Sequence, residues 1–208
     1  MANKDDESGL IHKVAESVMG FIGSIPESTQ ELSTEPKAAA QKIGNQAAIK
    51  AATTAGTLAL PVGPFGWATI LPEIVAVWKI QGQMVADIAS VFGKTGQLTE
   101  EQMIYCLFRH TAAQAVRDLV VRVGERYLVR QASLRTMETV ARRIGIKVTQ
   151  KALGKGISRW VPLVSALGVG GYAWYDTANV AKTAIEMFGS EVILGELDDP
   201  ITDPSRHP

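Results

Sequence analysis

At 208 residues, with 46% hydrophobic and 20% charged side chains, the chain has length for one domain with a sizeable core and sits at the apolar edge of the globular range. The single cysteine, Cys106, excludes an internal disulfide and, placed in an apolar run, reads as a buried thiol. A net charge of zero hides a block pattern: Gln102–Trp160 holds 12 Lys/Arg against Asp118, Glu125 and Glu138, a net +9, while the flanks carry −4 and −5.

Met1–Gly9 is acidic and polar, unlike a secretory signal, so a bacterial-type cytoplasmic protein is expected. Leu10, Ile11, Val14, Ala15, Val18, Met19 and Ile22 recur at helical spacing and predict an amphipathic helix from about Ser8 to just before Pro26. Ser24–Pro36 is a polar linker, which closes an N-terminal unit of residues 1–36. The main domain is expected over 37–190. It opens with an alanine-rich helix, Lys37–Gly56, whose low bulk lets neighbours approach.

The most informative stretch follows. Between Lys50 and Glu73 lie 22 residues without a formal charge, and roughly 20 apolar residues suffice to cross a bilayer. Gly56, Pro61, Gly63, Pro64, Gly66 and Pro72 break it, so it reads as a helix end, a tight turn and a new helix, Pro72–Phe92, closed by Gly93. Thr99 and Gln102 match a capping box and predict a long helix to about Val129. Leu134, Met137, Ala141, Ile144, Val148 and Ala152 form the stripe of a further helix, ended by Gly154-Lys155-Gly156. A second uncharged stretch, 16 residues between Arg159 and Asp176, carries Pro162, Gly168, Gly170 and Gly171 before a last helix from about Leu167 to Phe188. Residues 191–208, acidic and with three prolines, read as a disordered tail. Apolar/polar alternation never persists and no Asn-Gly or Asp-Gly turn occurs, so no strand is expected. The fold class is therefore all-α: a compact bundle of about six helices with two Pro/Gly-rich apolar turns near each other at one end.

Trp78 to Phe92-Gly93 and Trp174 to Phe188-Gly189 repeat at a displacement of 96 residues, which suggests two duplicated helix hairpins. The run Leu60-Pro61, Leu71-Pro72-Glu73, Ile80-Gln81, Met84, Asp87-Ile88-Ala89 and Phe92-Gly93 resembles the central signature of the EcsC family. There a Leu-Pro-acidic turn leads into a Gln- and Met-containing helix that ends in an aromatic-Gly pair. Val161-Pro162, Gly168, Ala181 and Ala184 resemble the family's C-terminal Pro-Gly helix, and a related helical domain attached to Era-like GTPases shares the outline. The likeness spans most of 37–190 and departs at the polar Ala51–Thr57 and in tryptophan content. It implies an all-helical protein peripheral to a membrane, in a family named for an operon that encodes an ABC transporter. It brings no catalytic activity or ligand set.

Catalytic vocabulary is thin. His12, His110 and His207 are scattered, and no Cys/His set has zinc spacing. Gly168-Val169-Gly170-Gly171 lacks the strand and the full pattern of a phosphate loop and reads as helix packing. Glu73 and Asp87 are about four turns apart on one helix, too distant to cooperate. No catalytic, cofactor or metal site is expected.

Arg135, Arg142, Arg143, Lys147, Lys151 and Lys155 are the candidate anion-binding set, with Glu138 the one acid among them. Pro61, Phe65, Trp67, Pro72, Trp160 and Pro162 mark the apolar turns, expected either in the core or facing lipid. Of the four Trp and four Tyr, Trp67, Trp160, Tyr172, Trp174 and Tyr175 belong to those turns; filling gaps in an alanine-rich core explains them equally well. The sequence thus points to a non-enzymatic factor docking on the cytoplasmic face of an anionic membrane. A protein-interaction module for a transporter or GTPase is the alternative. An enzyme acting on lipid comes third, because no nucleophile–base pair can be named, and nucleic acid ranks below lipid because aromatic and polar base-reading side chains do not interleave the basic residues.

Overall fold

Seven helices and three short strands account for most of the chain in a computed structural model that describes residues 4–58, 67–154 and 162–196. In order they are α1 (Lys4–Ile22), α2 (Pro36–Leu58), α3 (Trp67–Val91), α4 (Glu100–Phe108), the single-turn α5 (Ala113–Val116), β1 (Val120–Val123), β2 (Arg126–Gln131), α6 (Leu134–Gly154), α7 (Pro162–Phe188) and β3 (Glu191–Glu196). The expected helical bundle is the architecture. Pro61, Phe65, Lys155 and Trp160 lie outside the described residues, as do the side chains of Trp67, Glu73, Lys151 and Pro162.

Several termini follow the sequence chemistry. Gly93 (φ 70°) donates its N–H to Ser90 O at 2.7 Å while Lys94 N donates to Ala89 O at 2.8 Å, the paired bonds of a Schellman motif that closes α3. Thr99 and Gln102 cap α4 reciprocally, side chain to backbone, as their spacing requires. Other boundaries are corrected. Helix α3 begins at Trp67 rather than Pro72, and Pro72 sits in its second turn, where one missing N–H removes a single backbone bond. Helix α7 begins at Pro162, a first position that suits proline because its N–H would have no partner there.

The long helix expected over 99–129 is also corrected. It stops at Phe108, and 120–131 form a hairpin with Val120 opposite Val129 and Val123 opposite Arg126. The loop is Gly124-Glu125, with Gly124 at φ 63° in the first central position, the place where a two-residue hairpin loop favours glycine. Strand β3 then adds in parallel to β2, so the first six residues of the expected disordered tail, 191–196, belong to a sheet of order β1-β2-β3. Residues 197–208 lie outside the described set.

Helices α3 and α7 run parallel, side by side: Gln81 bonds to Thr177, and Lys94 Nζ donates to the Ser190 carbonyl, each pair 96 residues apart. Antiparallel α2 packs on both. An added Cβ at Gly44 would meet Ala181 at 2.8 Å, and one at Gly170 would meet Ala52 O at 2.9 Å. The end of α2 and the start of α7 therefore converge, so one helix end flanking each apolar turn lies at the same end of the bundle. Helix α1 packs mainly on α6 and shares the main core, where Val14 and Val18 join Met103, Leu107, Tyr127 and Ile144.

Candidate functional site

Ser133 starts α6: its carbonyl accepts from Met137 N at 3.0 Å and its hydroxyl lies 3.0 Å from the Thr136 hydroxyl. Met137, Val140, Ala141, Ile144 and Val148 are buried, so the apolar stripe faces inward as expected. Leu134 is an exception at 69% exposed, because it precedes the first turn that meets α1. Gly145 permits that contact: an added Cβ there would lie 2.8 Å from the Ile11 carbonyl oxygen.

The opposite face carries Arg135, Arg142, Arg143 and Lys147, all exposed, with Glu138 beside them. At 100° per residue the four cations fall within an arc of about 140° and along about 18 Å of helix. Among the described residues none of the four has a carboxylate within salt-bridge reach. The rest of the basic block behaves differently. Arg109 pairs with Glu186 at 3.2 Å, Arg117 with Asp118 at 3.3 Å and Arg126 with Glu191 at 2.8 Å. Arg122 donates to Gly124 O and stacks over the Tyr127 ring. The +9 of the sequence is thus not one surface: among the described residues the cations without a carboxylate partner are these four on α6 together with Arg122 and Arg130 of the hairpin.

An apolar patch lies elsewhere on the bundle. Trp174 is 47% and Tyr175 61% exposed on α7, and the antiparallel register places exposed Ile49 of α2 at their level. Trp78, by contrast, is buried and packs edge-on against Phe108 at 5.0 Å.

Of the residues that carry the EcsC resemblance, Gln81, Asp87 and Gly93 make structural contacts, and Pro72 and Gly168 do not. Gln81, fully buried, donates its amide to Asp176 Oδ2 at 2.8 Å and Thr177 Oγ1 at 3.1 Å. Asp87 accepts from Ser28 Oγ at 2.7 Å and Gln83 Nε2 at 3.0 Å, tying the 24–35 connection to α3. Gly93 is the helix stop. Pro72 is exposed on α3, and Gly168 is exposed on α7 with open space where a Cβ would stand.

What the sequence reading missed is the centre these residues build. His110 Nε2 pairs with Asp176 Oδ1 at 2.7 Å and the Thr111 hydroxyl reaches the same oxygen at 3.4 Å, so one carboxylate ties α3, α7 and the end of α4 together. The available signal was Asp176 itself, a lone charge where the uncharged run meets the apolar face of a helix. Cys106 lies fully buried one turn before His110, and burial pushes its thiol well above the ordinary range, so it is no nucleophile. No three His, Cys, Asp or Glu side chains among the described residues gather as a metal site. No protein-family model, curated protein or solved structure matches this chain.

Proposed function

We propose that the protein docks peripherally on an anionic membrane surface, at the cytoplasmic face, through the outer face of α6, as an accessory factor rather than a catalyst. The observation that carries the reading is the exposed cationic arc of Arg135, Arg142, Arg143 and Lys147, with Glu138 the one acid beside it and, among the described residues, no carboxylate within salt-bridge reach. A solvated helix face normally mixes both signs. Here the cations project from a helix whose other side is locked onto α1, so docking needs no refolding. No helix among the described residues is long and apolar enough to cross a membrane, so the binding proposed is surface binding. The EcsC resemblance supports the same peripheral role.

The test is co-sedimentation with anionic and with neutral vesicles. Each basic residue near an anionic surface is worth about 1 kcal/mol, so changing Arg142, Arg143, Lys147 and Lys151 to Glu should weaken binding at least several hundredfold. Helicity should be unchanged, because the positions described are exposed. Equal binding by the parent and the quadruple variant at all salt concentrations would hand the face to an acidic protein partner such as a transporter or GTPase. Binding to duplex or single-stranded nucleic acid without vesicle binding would reject the lipid reading.

A further inference from the structure

We propose that a pocket between α1 and α3, remote from the cationic face of α6, binds a single-chain amphiphile with one carboxylate head, such as a medium-chain fatty acid. Two stripes face each other across it. Helix α1 and its exit contribute Ser17, Gly20, Phe21 and Ser24 at the i, i+3, i+4, i+7 spacing of one helix side. Helix α3 contributes Val75, Lys79 and Gln83, each four residues from the next. The space measures about 450 Å³, within the range of small-molecule sites.

A census of its polar groups selects the ligand. The Ser17 hydroxyl donates to Lys13 O and the Ser24 hydroxyl to Gly20 O. Gln83 Nε2 donates to Glu27 O at 3.0 Å and to Asp87 Oδ1 at 3.0 Å, which uses both amide protons. The last carbonyls of α1 are likewise taken, Met19 O by Gly23 N and Phe21 O by Ser24 N. That leaves the Lys79 ammonium as the lining's uncommitted donor and its single ionisable group, with no carboxylate within salt-bridge reach among the described residues.

The remaining walls are apolar: Phe21, Pro26 and Val75. Phe21 is seated on the α3 backbone at Gly82, where an added Cβ would come within 2.3 Å of its ring. One cation beside an apolar wall suits one charge on an apolar body. A phosphate monoester, with nearly two charges and three acceptor oxygens, would find a single donor side chain and leave the rest unmatched.

Titration calorimetry of the full chain with dodecanoate, dodecanol and dodecyl phosphate, each below its micellar concentration, tests this. Dodecanoate should bind one to one and at least tenfold more tightly than either analogue. Lys79→Met, at an exposed position, should cost dodecanoate about tenfold and leave dodecanol unchanged. Gly20→Leu should abolish binding: nothing lies within 4 Å of a Cβ at Gly20, so the side chain enters the pocket without a clash. It also replaces a poor helix former by a good one, so the fold should not suffer. No dodecanoate binding by the parent, equal binding by Gly20→Leu, or tighter binding of dodecyl phosphate would each overturn the proposal. None of these outcomes bears on vesicle docking by α6.

Discussion

Replacing Asp176 by Ala removes one carboxylate that three helical segments share, and its cost can be worked from the geometry. Oδ2 receives Gln81 Nε2 at 2.8 Å, and Oδ1 meets His110 Nε2 at 2.7 Å and Thr111 Oγ1 at 3.4 Å. A hydrogen bond to a charged group contributes about 1.5–3 kcal/mol, and the two short contacts dominate. Truncation also leaves the amide of a fully buried glutamine with Thr177 Oγ1 as its remaining acceptor and removes the acceptor of a largely buried imidazole. Leaving a buried polar group without its partner costs about 1–3 kcal/mol. The expected loss is therefore about 4 kcal/mol, a large share of the roughly 5–15 kcal/mol available to a folded domain. At about 2–4 °C per kcal/mol for a chain of this size, the melting temperature should fall by about 8–16 °C. Differential scanning calorimetry measures it directly. A double-mutant cycle with Gln81→Ala should return a coupling above about 1 kcal/mol, because the two side chains touch. A melting temperature within about 3 °C of the parent would show that the carboxylate does not organise this junction.

Other perturbations follow from single observations. Cys106 should resist iodoacetamide in the native protein and react fully once denatured, as read by mass spectrometry, because burial holds the thiol protonated and out of reach. Gly145→Ala should cost about 1–3 kcal/mol and raise amide exchange throughout α1, because the new methyl must displace the Ile11 carbonyl 2.8 Å away. Burial first, and then the neighbouring Glu101 charge, raise the pKa of Glu100 from 4.5. A raised carboxylate supports the fold below its unfolded value and loses that support as pH rises through the folded one. Glu100→Gln should therefore flatten the decline in urea midpoint as pH climbs from 4.5, by a small amount since the side chain is mostly exposed; an identical pH profile would remove Glu100 from consideration.

The parts of the fold legible in sequence are those set by local chemistry. Gly93 stops α3 because a left-handed residue there is cheapest as glycine, and Thr99 with Gln102 opens α4 because their spacing closes two bonds. The inward stripe of α6 was equally legible, since its period settles which side is wet. The hairpin was not, because Val120–Val123 and Arg126–Gln131 are too short to show sustained alternation, and the turn is Gly-Glu rather than Asn-Gly. Strand β3 depends on a parallel partner some sixty residues earlier, which no local pattern announces. The Gln81–Asp176–His110 centre was hidden for the same reason: its members come from three elements, and each looks unremarkable alone.

A displacement of 96 residues carries over the helix ranges but not the helix partners. Displaced by that interval, α2 falls on 132–154, where α6 runs from Leu134 to Gly154, and α3 falls on 163–187, within α7. Yet α2 packs against both α3 and α7, while α6 lies chiefly against α1. The lengths match; the partners do not. Helix α2 presents Ala40, Ala48, Ala51 and Ala55 to its neighbours with no bulk to hold them apart, so it can be flanked on two sides. Helix α6 carries Arg142, Arg143 and Lys147 on the side that a second neighbour would have to cover, and burying unpaired guanidinium or ammonium groups costs several kcal/mol each. One side of α6 is therefore closed by α1, and the other stays open. The cations on the open side of α6, which a second packed neighbour would have to bury, are the ones on which the proposed docking rests.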